Sequence, residues 1–208
     1  MSKYDWSKHV PGHHEIELYS GRYLDLQEPN ASVIGLEDVA HGLAFTCRYS
    51  GQCADYYSIA QHSVMCSRYV ALKDGTLEEQ LAALHHDDAE AFLGDVVRPL
   101  KSLLQPQYGQ LSDTMDVAVA EAFGNLWPAD ALKLPIVKEA DNWALMVEAW
   151  RLLPSQGKAW GGQAHNWDVD MDAGGRNDEG LWRGYQSPRT ASRSFVRHHN
   201  YLIRELNA

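Results

Sequence analysis

His86 and Asp87 form the only His-Asp pair in the chain, inside the segment Leu84-His85-His86-Asp87-Asp88-Ala89-Glu90-Ala91. A neutral imidazole nitrogen and a carboxylate oxygen are both ligands for a divalent cation. A second carboxylate one turn on, Glu90, can stay outside the ligand shell as an acid or base. Leu81, Leu84, Ala91 and Leu93 supply an apolar face at helical spacing, and the same periodicity predicts His86, Asp87 and Glu90 on neighbouring turns of one helix.

One helical turn cannot surround an ion, so further ligands must come from other elements. His62 and Asp141 are the candidates, each standing where an apolar or small residue would be expected. Alone, a helical histidine is more often a hydrogen-bonded core or surface residue than a ligand. Two imidazoles and two carboxylates together make a mixed nitrogen and oxygen set, which suits one Mn, Co, Fe, Ni or Zn ion better than Ca or Mg. Cys66, four residues after His62, shares its helix face and is a weaker alternative donor. Cys47, Cys53 and Cys66 are odd in number and lack a C-x-x-C pair, so they read as core thiols and not as a disulfide framework. His9, His13, His14, His41, His165, His198 and His199 lack a ligand-like neighbourhood and read as structural or solvated. His85 and Asp88 flank the central pair, pointing roughly 100° away on an ideal helix.

The elements that must position these groups are helical. Leu36, Val39, Ala40, Leu43, Ala44 and Cys47 follow a helical repeat from Gly35 to Arg48, and Ser50-Gly51 supplies a stop. Ser58 with Gln61 reads as a capping box opening a helix to Leu72, with His62 in its first turns. Lys73-Asp74-Gly75 is a turn, and Thr76 with Glu79 repeats the capping signature before a helix that carries His86-Asp87 and ends at Gly94. Arg98-Pro99 marks a change of direction before a short stretch over 100–104. Further helices are predicted over 108–123 and 136–153, and in the second Asp141 interrupts a stripe of Val137, Ala140, Ala144 and Leu145 that also reaches Glu148. Residues 154–186, Gly-rich and carrying Trp160, Trp167 and Trp182, read as a long ordered loop pinned by its aromatic residues. Ser187 as N-cap and Pro188 at the first helical position open a closing helix to Leu206. Strand signals are few, so the fold class is all-α: one domain over 1–208, with an N-terminal extension of about 18 residues.

The formal net charge of -10 argues against a nucleic-acid binder, which neutralises phosphates with clustered Lys and Arg. No apolar run reaches the length of a membrane span and the start lacks a signal-peptide core, so the expectation is a cytoplasmic protein with no membrane partner.

Several segments in order, Arg48-Tyr49-Ser50-Gly51, Tyr57 through Ser63, Leu84 through Lys101, and Lys138-Glu139-Ala140-Asp141, resemble the HD-domain phosphohydrolases. The likeness is to their compact bacterial and phage group, which includes deoxynucleotide 5′-nucleotidases and phage dATP triphosphohydrolases, and it runs from about Tyr19 through the Ser187-Pro188 helix. The resemblance implies that His62, His86, Asp87 and Asp141 hold one catalytic divalent metal ion. It implies that Glu90 and Asp95 position or deprotonate the attacking water, that Arg48 and Lys101 contact phosphate oxygens, and that the chain forms homo-oligomers. Tyr49, beside Arg48, is expected near the sugar or base of a small-molecule nucleotide, with deoxyadenine nucleotides the leading substrate. The chain departs from the group at Gln52-Cys53, Asp88 and Val96-Val97; none is an implied ligand, but the first lies near the expected nucleotide pocket. Two alternatives stay open: a non-catalytic helical assembly protein that keeps a structural metal, and a two-metal phosphodiesterase of cyclic nucleotides or dinucleotides, for which further His ligands cannot be placed.

Overall fold

Both capping boxes are made. Ser58 Oγ accepts from the Gln61 N–H while the Gln61 side chain accepts from the Ser58 N–H, and Thr76 with Glu79 does the same. Each such cap contributes on the order of 1 kcal/mol and fixes where its helix begins. The computed structural model describes residues 12–158 and 180–208. Among these the helices are α1 (Leu36–Phe45), α2 (Ile59–Leu72), α3 (Leu77–Leu84), α4 (Glu90–Leu93), α5 (Arg98–Leu103), α6 (Gln107–Ala122), α7 (Pro135–Leu152) and α8 (Pro188–Leu206). The fold is all-α, with α8 entered as expected through Ser187 and Pro188.

The hub is α2. Nearly all its side chains are buried, and it packs against α3, α7 and α8 while also touching α1. A helix covered on every side is where a polar residue is most costly, and α2 carries His62 with no exposed surface. Around the hub, α1 lies on α8 and on the short α4. That last contact depends on Gly42, because a Cβ there would collide with the carbonyl oxygen of Ala91.

Three expectations need correction. The helix opened by Thr76 does not run to Gly94: it ends at Leu84, His85 leaves helical geometry at φ -108°, ψ 10°, and α4 restarts at Glu90. His86 and Asp87 therefore sit on a turn between two helices. Side chains take over the local hydrogen bonding there. His85 Nδ1 lies 2.6 Å from Asp88 Oδ2, and His86 Nδ1 reaches back to the Ala83 carbonyl at 2.8 Å. Secondly, α1 stops at Phe45, and Tyr49 and Ser50 adopt left-handed conformations (φ 58° and 51°) that reverse the chain. Thirdly, residues 15–17 of the expected extension form β1 (Glu15–Glu17), which pairs antiparallel with β2 (Tyr23–Asp25) with Ile16 opposite Leu24.

Of the long loop, 159–179 lie outside the described residues, and Trp160 and Trp167 with them. Trp182 stacks on Tyr57 at a centroid distance of 4.6 Å, as expected of a residue that pins the chain. Among the described residues no helix is long and apolar enough to cross a membrane.

Candidate metal centre

Three separate elements deliver four donor atoms to one point. His62 comes from α2, His86 and Asp87 from the turn after α3, and Asp141 from the second turn of α7. His62 Nε2 lies 3.2 Å from His86 Nε2, 3.5 Å from Asp87 Oδ2 and 3.3 Å from Asp141 Oδ1. His86 Nε2 lies 3.3 Å and 3.9 Å from the same two oxygens. Four donors about 2.1 Å from a common ion at tetrahedral angles stand about 3.4 Å apart, so these spacings fit a small divalent cation.

The protonation of the imidazoles supports the same fit. The Ala83 carbonyl only accepts, so His86 Nδ1 carries the proton and donates to it at 2.8 Å. His62 Nδ1 donates to Glu148 Oε1 at 2.6 Å. In the neutral rings both Nε2 atoms then present lone pairs to each other and to two carboxylate oxygens, an arrangement that needs a cation between them. Without one, His62 must take up a proton. Burial and the Arg48 charge lower its pKa, but Cys66, Glu148 and Asp141 together hold it well above the usual imidazole range. Asp87 and Asp141 are both held below the usual carboxylate range: burial raises them, and the neighbouring histidines with Arg48 more than offset this.

Glu148 organises the layer behind the donors. It is fully buried on α7, seven residues after Asp141 and so on the same face. Oε1 accepts from His62, while Oε2 accepts from Arg48 Nε at 3.0 Å and from the Tyr49 hydroxyl at 3.5 Å. Burial raises this carboxyl, but Arg48 and His62 lower it further, so it stays ionised. Glu148 thus fixes the tautomer of His62 and the direction of Arg48 through one carboxylate. Arg48 Nη1 continues to Asp87 Oδ2 at 3.9 Å. The left-handed Tyr49, a conformation that costs a bulky residue on the order of 1–2 kcal/mol, is held by this hydrogen bond and by one to the Leu145 carbonyl at 3.3 Å.

Asp87 and Asp141 line a pocket of about 510 Å³, with the two histidines buried beside them. Its cationic groups are Arg48, Arg98 and Lys101, its acids outside the donor set are Glu90 and Asp95, and Val96, Val97, Leu132 and Leu145 supply apolar surface. Glu90 is buried; burial, with the Asp87 and Asp95 charges, pushes its carboxyl up to about 8 against the pull of Lys101. Lys101 Nζ donates to Glu90 Oε1 at 2.8 Å, and Glu90 Oε2 has no protein partner. Asp95 lies on the segment between α4 and α5, where its carbonyl accepts from Ser50 Oγ at 3.3 Å.

Of the sequence-derived site residues, Arg48, Tyr49, Asp87, Glu90, Asp95, Lys101 and Asp141 line this pocket, and His62 and His86 reach the Asp87 and Asp141 oxygens at 3.3–3.9 Å. Glu148 and Arg98 went unassigned. The signal for Glu148 was its place at the end of the apolar stripe containing Asp141, whereas Arg98 carried only a turn signal. Cys66 Sγ lies 3.6 Å from His62 Nε2, and the buried group of His62, Cys66 and His86 could itself hold a metal ion. Burial pushes the Cys66 thiol up to about 11, so it is protonated at neutral pH. Cys47 and Cys53 are only partly buried, contrary to a core reading, with sulfurs 3.6 Å apart.

His85, Asp88 and His199 stay outside the donor set and form a buried chain, in which His85 Nδ1 lies 2.6 Å from Asp88 Oδ2 and His85 Nε2 lies 2.8 Å from His199 Nδ1 while His85 stacks on Trp127 at 4.0 Å. His13 and His14 are exposed, and His41 stacks between Tyr19 and Phe45. His9 and His165 lie outside the described residues.

No family model matches the chain. It is similar to the uncharacterized protein RCAP_rcc00048 of Rhodobacter capsulatus, 41% identical over 139 residues that cover 64% of this chain and 69% of that protein. It is also similar to the uncharacterized protein YfdR of Escherichia coli, 34% identical over 145 residues covering 70% of this chain and 76% of that protein. Likeness of this degree over more than two thirds of each relative shows common descent, and the chain belongs to the family of RCAP_rcc00048 and YfdR.

Proposed function

We propose that this protein is a metal-dependent phosphohydrolase of the HD-domain kind, acting on a phosphate ester of a nucleotide. The observation that carries the reading is the convergence of His62 Nε2, His86 Nε2, Asp87 Oδ2 and Asp141 Oδ1 at 3.2–3.9 Å, beside a pocket that Asp87 and Asp141 line together with acids outside that set. A structural metal site has a closed shell and no surplus acids, so Glu90 and Asp95 favour catalysis.

A divalent ion held by the four donors would supply Lewis acidity toward a phosphoryl oxygen and acidify a water molecule. Around it the chain's own groups divide the work. Arg48, held in a fixed direction by Glu148, presents its remaining N–H groups to phosphate oxygens, and Arg98 and Lys101 add positive charge at the same pocket. Glu90, with Oε2 free, takes the proton of the attacking water in its ionised form, the minority form below about pH 8. The water oxygen bonds to phosphorus, the ester P–O bond breaks, and the proton that Glu90 took passes to the leaving oxygen. Leu132, Leu145 and Val96 provide an apolar wall for a sugar and base, and the pocket volume lies within the range of roughly 300–1,000 Å³ typical of small-ligand sites. A deoxyadenine nucleotide is the first substrate to try.

The test is a screen of deoxy- and ribonucleotides, as mono-, di- and triphosphates, with Mn, Co, Zn, Fe and Ni and chromatographic product identification. Release of phosphate or triphosphate that disappears in Asp87→Ala and in Glu90→Gln supports the reading, with Glu90→Gln keeping its metal. No turnover on any nucleotide with metal-loaded protein overturns it.

A further inference from the structure

A second cavity lies across α2 from the metal centre. It has a volume of about 150 Å³, between α2, α8 and the segment just before α8, and its polar lining includes Gln61 and Arg68 from α2, Arg183 and Gln186 from that segment, and Ser194 from α8. Its charge is of one sign. Among the described residues no carboxylate forms an ion pair with Arg68 or Arg183, and the one hydrogen bond made by the Arg183 guanidinium runs to the Gly180 carbonyl at 2.8 Å. Burial, and then the Arg183 charge, lower the pKa of Arg68, so the two guanidiniums are near enough to repel. His198, on the next turn of α8 after Ser194, feels the Arg68 charge as well. Arg68 is half-buried and Arg183 exposed, so water screens part of the repulsion between these two like charges, and an anion seated between them is attracted by both. Gln186 Oε1 is buried without a hydrogen-bond partner and its side chain lines the cavity, so the occupant must also offer a donor to that oxygen.

We infer that this cavity is a binding site for a small oxyanion of the phosphate class, held by Arg68 and Arg183. The volume is well below the roughly 300–1,000 Å³ of pockets that take whole drug-sized ligands, so the site takes a phosphate group and not a nucleoside. Arginine supplies planar N–H forks that match phosphate oxygens in pairs. Monohydrogen phosphate also carries a P–OH that can donate to Gln186 Oε1, which the fully deprotonated sulfate ion cannot do. The occupant would adjoin the metal centre through two neighbours: Gln61 precedes His62 on α2, and the carbonyl of Tyr57 accepts the Arg48 backbone N–H at 2.8 Å. The source of the phosphate is either the free ion or the terminal group of a longer ligand, and the site stands whether or not the protein is a phosphohydrolase.

Isothermal titration of the full-length, metal-free chain with inorganic phosphate at constant ionic strength tests this, with sulfate and phosphorylated ethanolamine as comparison ligands. The proposal expects saturable binding that weakens at least tenfold in Arg68→Gln/Arg183→Gln and survives in Arg48→Gln. Sulfate should bind more weakly than phosphate, and binding of phosphorylated ethanolamine would show that the phosphate of a larger molecule is accepted; failure of that ligand would assign the site to the free ion. Ser194→Glu, which places a carboxylate at the cavity wall, should abolish binding if the double variant does not fold. Phosphate binding unchanged in the double variant or in Ser194→Glu, or lost in Arg48→Gln, overturns the proposal. A nucleotide-hydrolysis screen that fails while phosphate still binds through Arg68 would sink only the phosphohydrolase reading.

Discussion

Glu148→Gln keeps size and shape but removes one acceptor. The carboxylate uses both oxygens, Oε1 for His62 at 2.6 Å and Oε2 for Arg48 at 3.0 Å, and an amide offers one oxygen and one NH₂. Whichever way the amide turns, a buried donor faces another donor. If the oxygen stays with His62, Arg48 loses its main ion-pair partner in a site where its side chain is only 10% exposed. If it turns to Arg48, His62 loses the acceptor that fixes its tautomer. Leaving a buried charged group in this state costs roughly 2–4 kcal/mol of folding stability. Outer-shell partners of metal-ligating histidines typically cost 10–100-fold in metal affinity when removed, roughly 1.4–2.7 kcal/mol. Urea unfolding of the metal-free chain reads the first number, and competition against a chromophoric chelator reads the second. Tyr49→Phe removes the 3.5 Å contact to the same carboxylate and the 3.3 Å one to the Leu145 carbonyl, leaves the Glu148 bonds to His62 and Arg48 in place, and should change stability by about 1 kcal/mol and metal affinity by less. If Glu148→Gln unfolded at the wild-type urea concentration and held its metal as tightly, the carboxylate would not be orienting either partner.

The donor set is separable by substitution: Asp141→Asn should lower metal affinity at least about tenfold, while Cys66→Ser, which removes a protonated thiol, should leave it unchanged in the same chelator assay. Gly42→Ala forces α1 away from α4, so it should destabilise the fold by roughly 1–3 kcal/mol in urea and weaken turnover through Glu90 on α4. Acid should destabilise the protein through α8. Burial, and then the Arg68 charge, lower His198 from 6.5 to about 4, and burial with His85 lowers His199 likewise. Because the folded values lie below the unfolded ones, this stability is complete above about pH 6.5 and is lost as pH falls toward 4, at up to about 1.4 kcal/mol per unit per group. Urea midpoints at pH 7 and 4.5 should converge in His198→Gln/His199→Gln; an unaltered acid slope in that variant would rule these histidines out.

The α2 and α3 starts, the Ser187-Pro188 entry to α8 and the all-α class were legible because their signals are local: a cap joins residues three apart, and an apolar stripe repeats every turn. The residue types of the site were legible for a related reason. His62 and Asp141 stand out only because their helices are otherwise apolar. The paired strands at 15–17 and 23–25 were not, since three residues are too few for an alternating pattern to register.

The sequence by itself therefore determined which residue types meet at the candidate site and roughly where the main helices begin. What it could not determine was the break at His85. Ala89 through Leu93 keep good helical composition, and only distant groups reveal the interruption: His199 from α8 binds His85, and Trp127 stacks on it. That break frees His86 and Asp87 from helical geometry, so both can reach the point where α2 brings His62 and α7 brings Asp141. The service of Glu148 to His62 and Arg48 at once was likewise decided by packing, since it joins residues 86 and 100 positions apart, and no local propensity encodes the meeting of three elements in space.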